Sequence, residues 1–125
     1  MARGILLVFS NPSAPERLAE FNEWYTGVHL PEFLRVPSVN AARRFELSAS
    51  QMPLPPGVPL GGRQFLAAYE VDTSDFAALC DEIMGSAKNR TQSDALERDP
   101  LPLALLFEQL GEEQSAGPSP EESNE

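Results

Sequence analysis

The sequence predicts one α+β domain made of four strands and two principal helices. Its composition is that of an ordinary globular protein, because 42% of the 125 residues are apolar and 22% are charged. Segments with a hydrophobic period of two residues alternate with segments of helical period. A chain of this length is expected to form a single core, so residues 1–111 are assigned to one domain.

Four segments are predicted as strands: 3–10, 39–47, 65–71 and 103–110. The first is apolar on both faces, which is typical of a sheet that is covered on both sides. The second and third alternate with period two. In the second, one face is read as Val39, Ala41, Arg43, Phe45 and Leu47; in the third, the faces are Phe65, Ala67, Tyr69 and Val71 against Leu66, Ala68 and Glu70.

Two segments are predicted as helices. Ser13 and Glu16 have the spacing of a capping box, which would begin a helix over residues 14–26, and Gly27 suits its C-cap. A second helix follows Thr73-Ser74-Asp75, and its apolar stripe consists of Phe76, Leu79, Cys80, Ile83 and Met84. We expect Cys80, the one cysteine, to pack in the core.

The order strand, helix, strand, strand, helix, strand is that of the ferredoxin-like βαββαβ fold, an antiparallel sheet with two helices on one face. The second face of such a sheet would still carry Leu66, Ala68 and either Leu6 or Leu7. Soluble monomers rarely expose a contiguous apolar patch. We therefore expect a homodimer that packs sheet against sheet, unless the C-terminal segment or the long loop covers this face.

Charge and hydropathy exclude several classes of partner. The formal charge is −10, and five of the 19 acidic residues lie in residues 112–125, which are predicted to be a disordered acidic tail. The body keeps 14 acidic residues against 9 basic ones, so nucleic-acid binding is not expected. No run of about 18 apolar residues is present, so no membrane span is expected. A single cysteine fits a cytoplasmic location.

The only histidine, His29, follows Trp24 and Tyr25 in the run Trp24-Tyr25-Thr26-Gly27-Val28-His29-Leu30-Pro31. Histidine can both accept and donate a proton near neutral pH. His29 is thus the first candidate for proton transfer, and the alternative is a histidine that only caps the helix or lies partly buried.

Other catalytic classes lack their motifs. No Cys/His cluster has the spacing of a metal site, no glycine-rich loop leads from a strand into a helix, and no serine stands in a nucleophile elbow. We therefore expect neither a metal nor a cofactor. The Pro/Gly-rich residues 51–62 are interpreted as an extended hairpin loop.

Several short motifs in a fixed order resemble the EthD-like branch of the dimeric α+β barrel superfamily over residues 3–110. They are Asn11-Pro12, Glu23-Trp24-Tyr25 with His29-Leu30-Pro31, Val36-Pro37-Ser38-Val39 before Ala42-Arg43-Arg44-Phe45, and Leu66-Ala67-Ala68-Tyr69-Glu70-Val71. The resemblance implies a homodimer with a ligand cavity lined by the sheet and the first helix. It also implies chemistry on hydrophobic or aromatic compounds, although many members have no assigned activity.

We assign trial roles to the matched and neighbouring residues. His29 is the general acid or base, Tyr69 donates a proton to a substrate oxygen, and one arginine stabilises an enolate or binds a carboxylate. We favour Arg43 over Arg44 because the face assigned to Arg43 is otherwise apolar.

Glu70 would orient His29 or pair with an arginine. An aromatic wall would consist of Trp24, Tyr25, Phe65 and Phe107. For each, ordinary core packing or ion pairing is the alternative.

The predicted function is that of a cofactor-independent cyclase, dehydratase, lyase or isomerase. Its substrate would be a small hydrophobic compound that bears a carbonyl group or is aromatic, in secondary metabolism or aromatic catabolism. One alternative is a cofactor-free monooxygenase of phenols. Another is a non-catalytic dimer that binds ligands or serves as a scaffold.

Overall fold

The computed structural model describes residues 2–53, 56 and 62–117. Most of the predicted hairpin loop 51–62 and the end of the predicted tail, residues 118–125, lie outside the described residues. The elements in chain order are β1 (Ala2–Ser10), a 3₁₀ turn (Pro15–Arg17), α1 (Leu18–Trp24), a π turn (Tyr25–His29), α2 (Leu30–Phe33), β2 (Val39–Glu46), β3 (Phe65–Thr73), α3 (Phe76–Ser86), a second 3₁₀ turn (Ala87–Asn89) and β4 (Leu103–Glu108).

The four strands form one antiparallel sheet in the order β2-β3-β1-β4. The strand order and the packing of the helices match the predicted ferredoxin-like fold, which is confirmed. The helices cover one face, which we call the inner face. The core between them contains Leu6, Tyr69 and Val71 of the sheet, and, from the helices, Phe21, Trp24, Tyr25, Leu30, Phe33 and Leu79.

The other side of the sheet, the outer face, is also apolar. Residues that are paired on neighbouring strands point to the same face of the sheet. Leu7 therefore lies between Ala68 and Leu105 on the outer face, while Leu6 points into the core with Tyr69. The large apolar side chains on the outer face are Ile5, Leu7, Phe9, Phe45, Leu66, Leu103, Leu105 and Phe107. About half of the Phe107 side chain is exposed in the single chain. The prediction of a sheet with two apolar faces is therefore confirmed.

A β-bulge changes the face assignment predicted for β2. The register shifts between Val39 and Ala41, and a bulge inserts one unpaired residue that reverses the alternation. Val39 is buried opposite Val71, whereas Arg43 lies opposite Ala68 on the outer face. The expectation that Val39 shares a face with Ala41 and Arg43 is wrong, because it treated the strand as uninterrupted. Ala41 and Arg43 do share one face, the outer one.

The first helical region is longer than predicted and starts differently. Ser13 does not cap it: its backbone N–H donates to Ala95 O at 2.6 Å, and the residue at the N-cap is Ala14. Gly27 does not end it, since the Leu30 N–H donates to Tyr25 O five residues back in a π turn. This wider turn relieves the clash that the Pro31 ring would make with the carbonyl four residues earlier.

The second predicted helix is confirmed in position, and α3 begins as its sequence suggests. Asp75 Oδ1 accepts a hydrogen bond from the Ala78 N–H at 3.0 Å. Its apolar stripe is only partly buried, because Leu79 lies in the core while Met84 is 75% exposed. Cys80 is also exposed. Its predicted core position is wrong, since the helix contacts the sheet along a narrower line than the stripe spans.

The segment after β4 leaves the sheet. Residues 112–117 are exposed and have no regular secondary structure. These observations do not test whether the tail is disordered, and its disorder stays a prediction. Among the residues that the structure describes, no helix is both long enough and apolar enough to cross a membrane.

We predict that Gly4→Ala destabilises the fold. A Cβ at this position would lie 2.6 Å from the backbone oxygen of Phe107 and 2.9 Å from the Phe76 ring. Because the carbonyl belongs to a strand ladder, it cannot move away easily, and we expect a loss of about 1–3 kcal/mol in the free energy of unfolding.

The matched control is Gly85→Ala in α3, where an added Cβ meets nothing within 4 Å. It should leave stability unchanged or raise it by up to about 1 kcal/mol. Urea unfolding of both variants measures the difference, and equal stabilities would contradict the close approach of β1, β4 and α3.

Candidate functional site

His29 lies in a cluster of aromatic rings on the inner face. Its imidazole stacks on Trp24 at 4.8 Å between centroids and meets the edge of Tyr25 at 4.9 Å. The ring of Phe33 lies on a third side of the imidazole, at 5.8 Å between centroids. The π turn places these side chains together, since it carries both Tyr25 and His29 and is followed at once by α2.

The imidazole of His29 is neutral at physiological pH. Burial, followed by the positive charge of Arg90, lowers its pKa from 6.5 to about 4, while the charge of Glu32 acts in the opposite direction. Its Nδ1 is buried and has no hydrogen-bond partner in the described part of the chain. A neutral imidazole with an unpartnered nitrogen is able to accept a proton or to bond to a ligand.

Three buried hydroxyls meet beside this ring cluster, from Ser10, Tyr25 and Tyr69. They are close enough for Tyr69 and Ser10 to affect the pKa of Tyr25. Yet Tyr69 Oη and Ser10 Oγ make no hydrogen bond of good geometry to any described residue. Burial raises the pKa of both tyrosines, so both phenols stay protonated. The sequence analysis missed Ser10, although its alternation with Val8 on β1 places it on this face.

The chain after α3 closes one side of the cluster. The Trp24 indole N–H donates to Thr91 O at 3.1 Å. Glu32 accepts from the Thr91 N–H at 2.6 Å and from its hydroxyl at 2.7 Å. The guanidinium of Arg90 lies 4.8 Å from the centroid of the Phe33 ring. Sequence analysis missed Arg90 and Phe33; the spacing of four residues between His29 and Phe33 is the signal that could have indicated the second.

The arginine at this site is Arg44, and the preference for Arg43 is wrong. The bulge in β2 turns Arg44 to the inner face, where its guanidinium lies 4.7 Å from the centroid of the Tyr25 ring. Arg43 points to the outer face and pairs with Glu70 at 3.1 Å.

The expected site residues therefore divide between the two faces of the sheet. His29, Trp24, Tyr25 and Tyr69 are brought together, and Phe65 packs next to them, edge-on to Phe21 at 5.4 Å. The remaining three, Arg43, Glu70 and Phe107, line a separate cleft on the outer face. Glu70 consequently does not orient His29, and Phe107 is not part of the aromatic wall around it.

No family model matches this sequence, and a search of curated proteins gives no match. Solved structures do match. An EthD family protein from Bacillus halodurans C-125 has a TM-score of 0.53 at 14% identity, over 88% of this chain and 100% of that one. HapK from Hahella chejuensis has a TM-score of 0.51 at 16% identity, over 90% of this chain and 99% of that one.

The class that the fold defines is thus the ferredoxin-like α+β class. The particular fold is similar to that of EthD family proteins, and the resemblance drawn from the sequence motifs is confirmed at this level. At these identities the likeness shows the fold alone, and function has to be argued from the site.

We predict that His29 makes the stability of the protein fall in mild acid. In the unfolded chain its pKa is near 6.5, and in the folded chain it is about 4. Between these values the unfolded state binds more protons, so acidification favours unfolding. After allowance for the partial exposure of the ring, the loss from pH 7 to pH 4 should be about 2 kcal/mol.

The variant His29→Gln lacks this titration. Urea unfolding at several pH values should give a stability difference between wild type and variant that narrows or reverses as the pH falls from 7 to 4. Parallel curves for the two proteins would mean that His29 titrates near its ordinary pKa.

Proposed function

We propose that this protein is a cofactor-independent acid–base enzyme that acts on a small hydrophobic compound bearing a carbonyl group or an aromatic ring. The observation that carries the proposal is the pair of unpartnered buried atoms in one aromatic cluster, Nδ1 of His29 and Oη of Tyr69. Buried polar atoms are nearly always hydrogen-bonded. A ligand that supplies a proton to one and an oxygen to the other would satisfy both.

His29 acts as a base in this proposal, because with a pKa of about 4 it is a neutral imidazole at neutral pH and not the imidazolium that a general acid needs. The imidazole takes a proton from a carbon next to the substrate carbonyl. The electron pair of the broken C–H bond moves toward the carbonyl oxygen and forms an enolate. The negative charge of the enolate then stabilises the imidazolium beside it, which offsets the low basicity of the free enzyme.

Tyr69 is the hydrogen-bond donor to the oxygen of the enolate. Its raised pKa keeps the phenol protonated. Its hydroxyl donates to no acceptor in the described part of the chain, so it would lose no hydrogen bond when it donates to a ligand. Tyr69 is fully buried and its hydroxyl lies near that of Tyr25. A ligand therefore reaches Oη only if Tyr25 moves aside, and the proposal requires that movement.

We predict that two variants separate chemistry from folding. A screen of flat phenols and β-dicarbonyl compounds first supplies a substrate. His29→Gln should then lower turnover by about two to four orders of magnitude, the usual contribution of a positioned base. Tyr69→Phe should lower turnover while leaving the melting temperature unchanged or slightly higher, because the buried Oη makes no hydrogen bond of good geometry in the described part of the chain.

Circular dichroism and ligand affinity are the controls for both variants. In the wild type, kcat/KM should fall only as the pH drops through about 4, where the free enzyme loses its neutral imidazole. A folded His29→Gln protein with full activity would exclude the base role and leave a ligand-binding function in its place.

We also propose that the protein works as a homodimer through the outer face of the sheet. The support is the row of large apolar side chains there, which water would otherwise contact. Closed pairs with twofold symmetry are the commonest assembly and would bury the same patch on both copies.

We predict that Leu105→Glu separates the dimer. Leu105 lies opposite Leu7 on the outer face and is 41% exposed in the single chain, so a carboxylate there would be buried without a partner in the pair. Met84→Glu on the helix side is the control and should leave the assembly intact. Sedimentation at micromolar concentration measures both, and a wild-type mass of 13.7 kDa would contradict the dimer.

A further inference from the structure

Arg44 is held at the edge of the aromatic cluster by neutral groups. Its Cζ lies 4.7, 5.3 and 6.0 Å from the ring centroids of Tyr25, Phe21 and Phe65, respectively. One terminal nitrogen donates to Thr26 Oγ1 at 3.2 Å and the other to Asn22 Oδ1 at 3.0 Å. These contacts fix the plane of the guanidinium against the rings of α1, β3 and the π turn.

No carboxylate balances this cation within the described ranges. Arg17 pairs with Glu20 and Asp94, and Arg43 pairs with Glu70, but no ion pair includes Arg44. Glu46, two residues further on the same face of β2, does not reach it either. The group is half-buried, and burial lowers its pKa. A cation that is partly removed from water without a counter-ion carries a desolvation cost.

The guanidinium also keeps unused donors. A guanidinium has five N–H groups in a planar fork, and two are used by Thr26 and Asn22. A planar fork matches the two oxygens of a carboxylate. Of the neighbouring rings, Phe21 and Tyr25 are buried, whereas Phe65 is only partly buried and offers apolar surface for a flat molecule.

We propose that Arg44 binds the carboxylate of a planar aromatic acid, whose ring lies against Phe65 at the edge of the aromatic cluster. The inference rests on the proposed function only in taking the inner face as the ligand site. It names a ligand class, a carboxylated aromatic compound, and makes no use of proton transfer by His29.

Arg90, the other guanidinium near these rings, is less suited to this role. It donates to Ser86 Oγ and to the backbone oxygen of Ile83, which ties down the end of α3. It also lies in the field of Glu32, whose negative charge raises its pKa against the effect of burial. Arg44 has no such acidic neighbour, so a ligand carboxylate would meet less repulsion there.

The test compares two probes of nearly the same shape, 2-naphthoate and 2-naphthamide, by fluorescence titration at pH 7.5 and low salt. The wild type should bind the carboxylate more tightly than the amide. Arg44→Gln should weaken naphthoate binding about 10-fold to 100-fold, as expected for a lost charged hydrogen-bonded pair. Its affinity for the amide should change less than about threefold.

The adjacent Arg43→Gln is the matched control, since it removes the same charge from the same strand but on the outer face. It should leave both affinities unchanged. Arg44→Lys, which keeps the charge and loses the fork, should give an intermediate affinity and provides a second variant if Arg44→Gln does not fold. Equal losses in Arg43→Gln and Arg44→Gln, equal wild-type affinities for the two probes, or no binding of either would each overturn the proposal.

The same titration with His29→Gln separates the two hypotheses. Retained preference for naphthoate supports the Arg44 site whether or not His29 proves to be a base. Loss of that preference in a folded His29→Gln protein would mean that His29, not Arg44 alone, recognises the carboxylate, and would contradict the assignment.

Discussion

The alternation of β3 is the constraint on which the rest of the molecule depends. Because β3 pairs with both β1 and β2, successive side chains point to opposite faces with no freedom to turn. Tyr69 enters the core while Glu70 reaches the outer face. The sheet thus separates a buried aromatic compartment under the helices from an exposed cleft behind it.

The inner compartment has a charge opposite to that of the whole chain. The protein has a formal charge of −10, yet two guanidinium groups lie on rings of this cluster without an ion pair among the described residues. Burial and the charge of one of them, Arg90, keep His29 neutral. Aromatic faces partly replace the missing anions, since their quadrupoles attract cations. An electron-rich ligand would meet positive charge in this compartment, whereas the acidic surface would repel it.

Much of the fold could be predicted from the sequence because it depends on local periodicity. The four strands, α3 and the two apolar faces of the sheet follow from hydrophobic patterns alone. The β2 bulge could not be predicted, since one extra residue leaves no mark on composition and yet decides which arginine faces the helices. The π turn could not be predicted either, because Gly27 and Pro31 are typical of a helix end, whereas the chain here stays helical through both residues. Of the predicted site residues, the structure brings His29, Trp24, Tyr25 and Tyr69 together on the inner face, and it places Arg43, Glu70 and Phe107 on the outer face.

The π turn decides which side chain lies over Trp24. An α-helical turn brings residues four apart to the same side of the helix, whereas a π turn brings residues five apart together. His29 follows Trp24 by five residues, and the apolar Val28 follows it by four. In a regular α-helical turn Val28 would therefore lie where the imidazole lies now. The chemistry of the cluster thus depends on one widened turn of backbone as much as on the identity of any side chain.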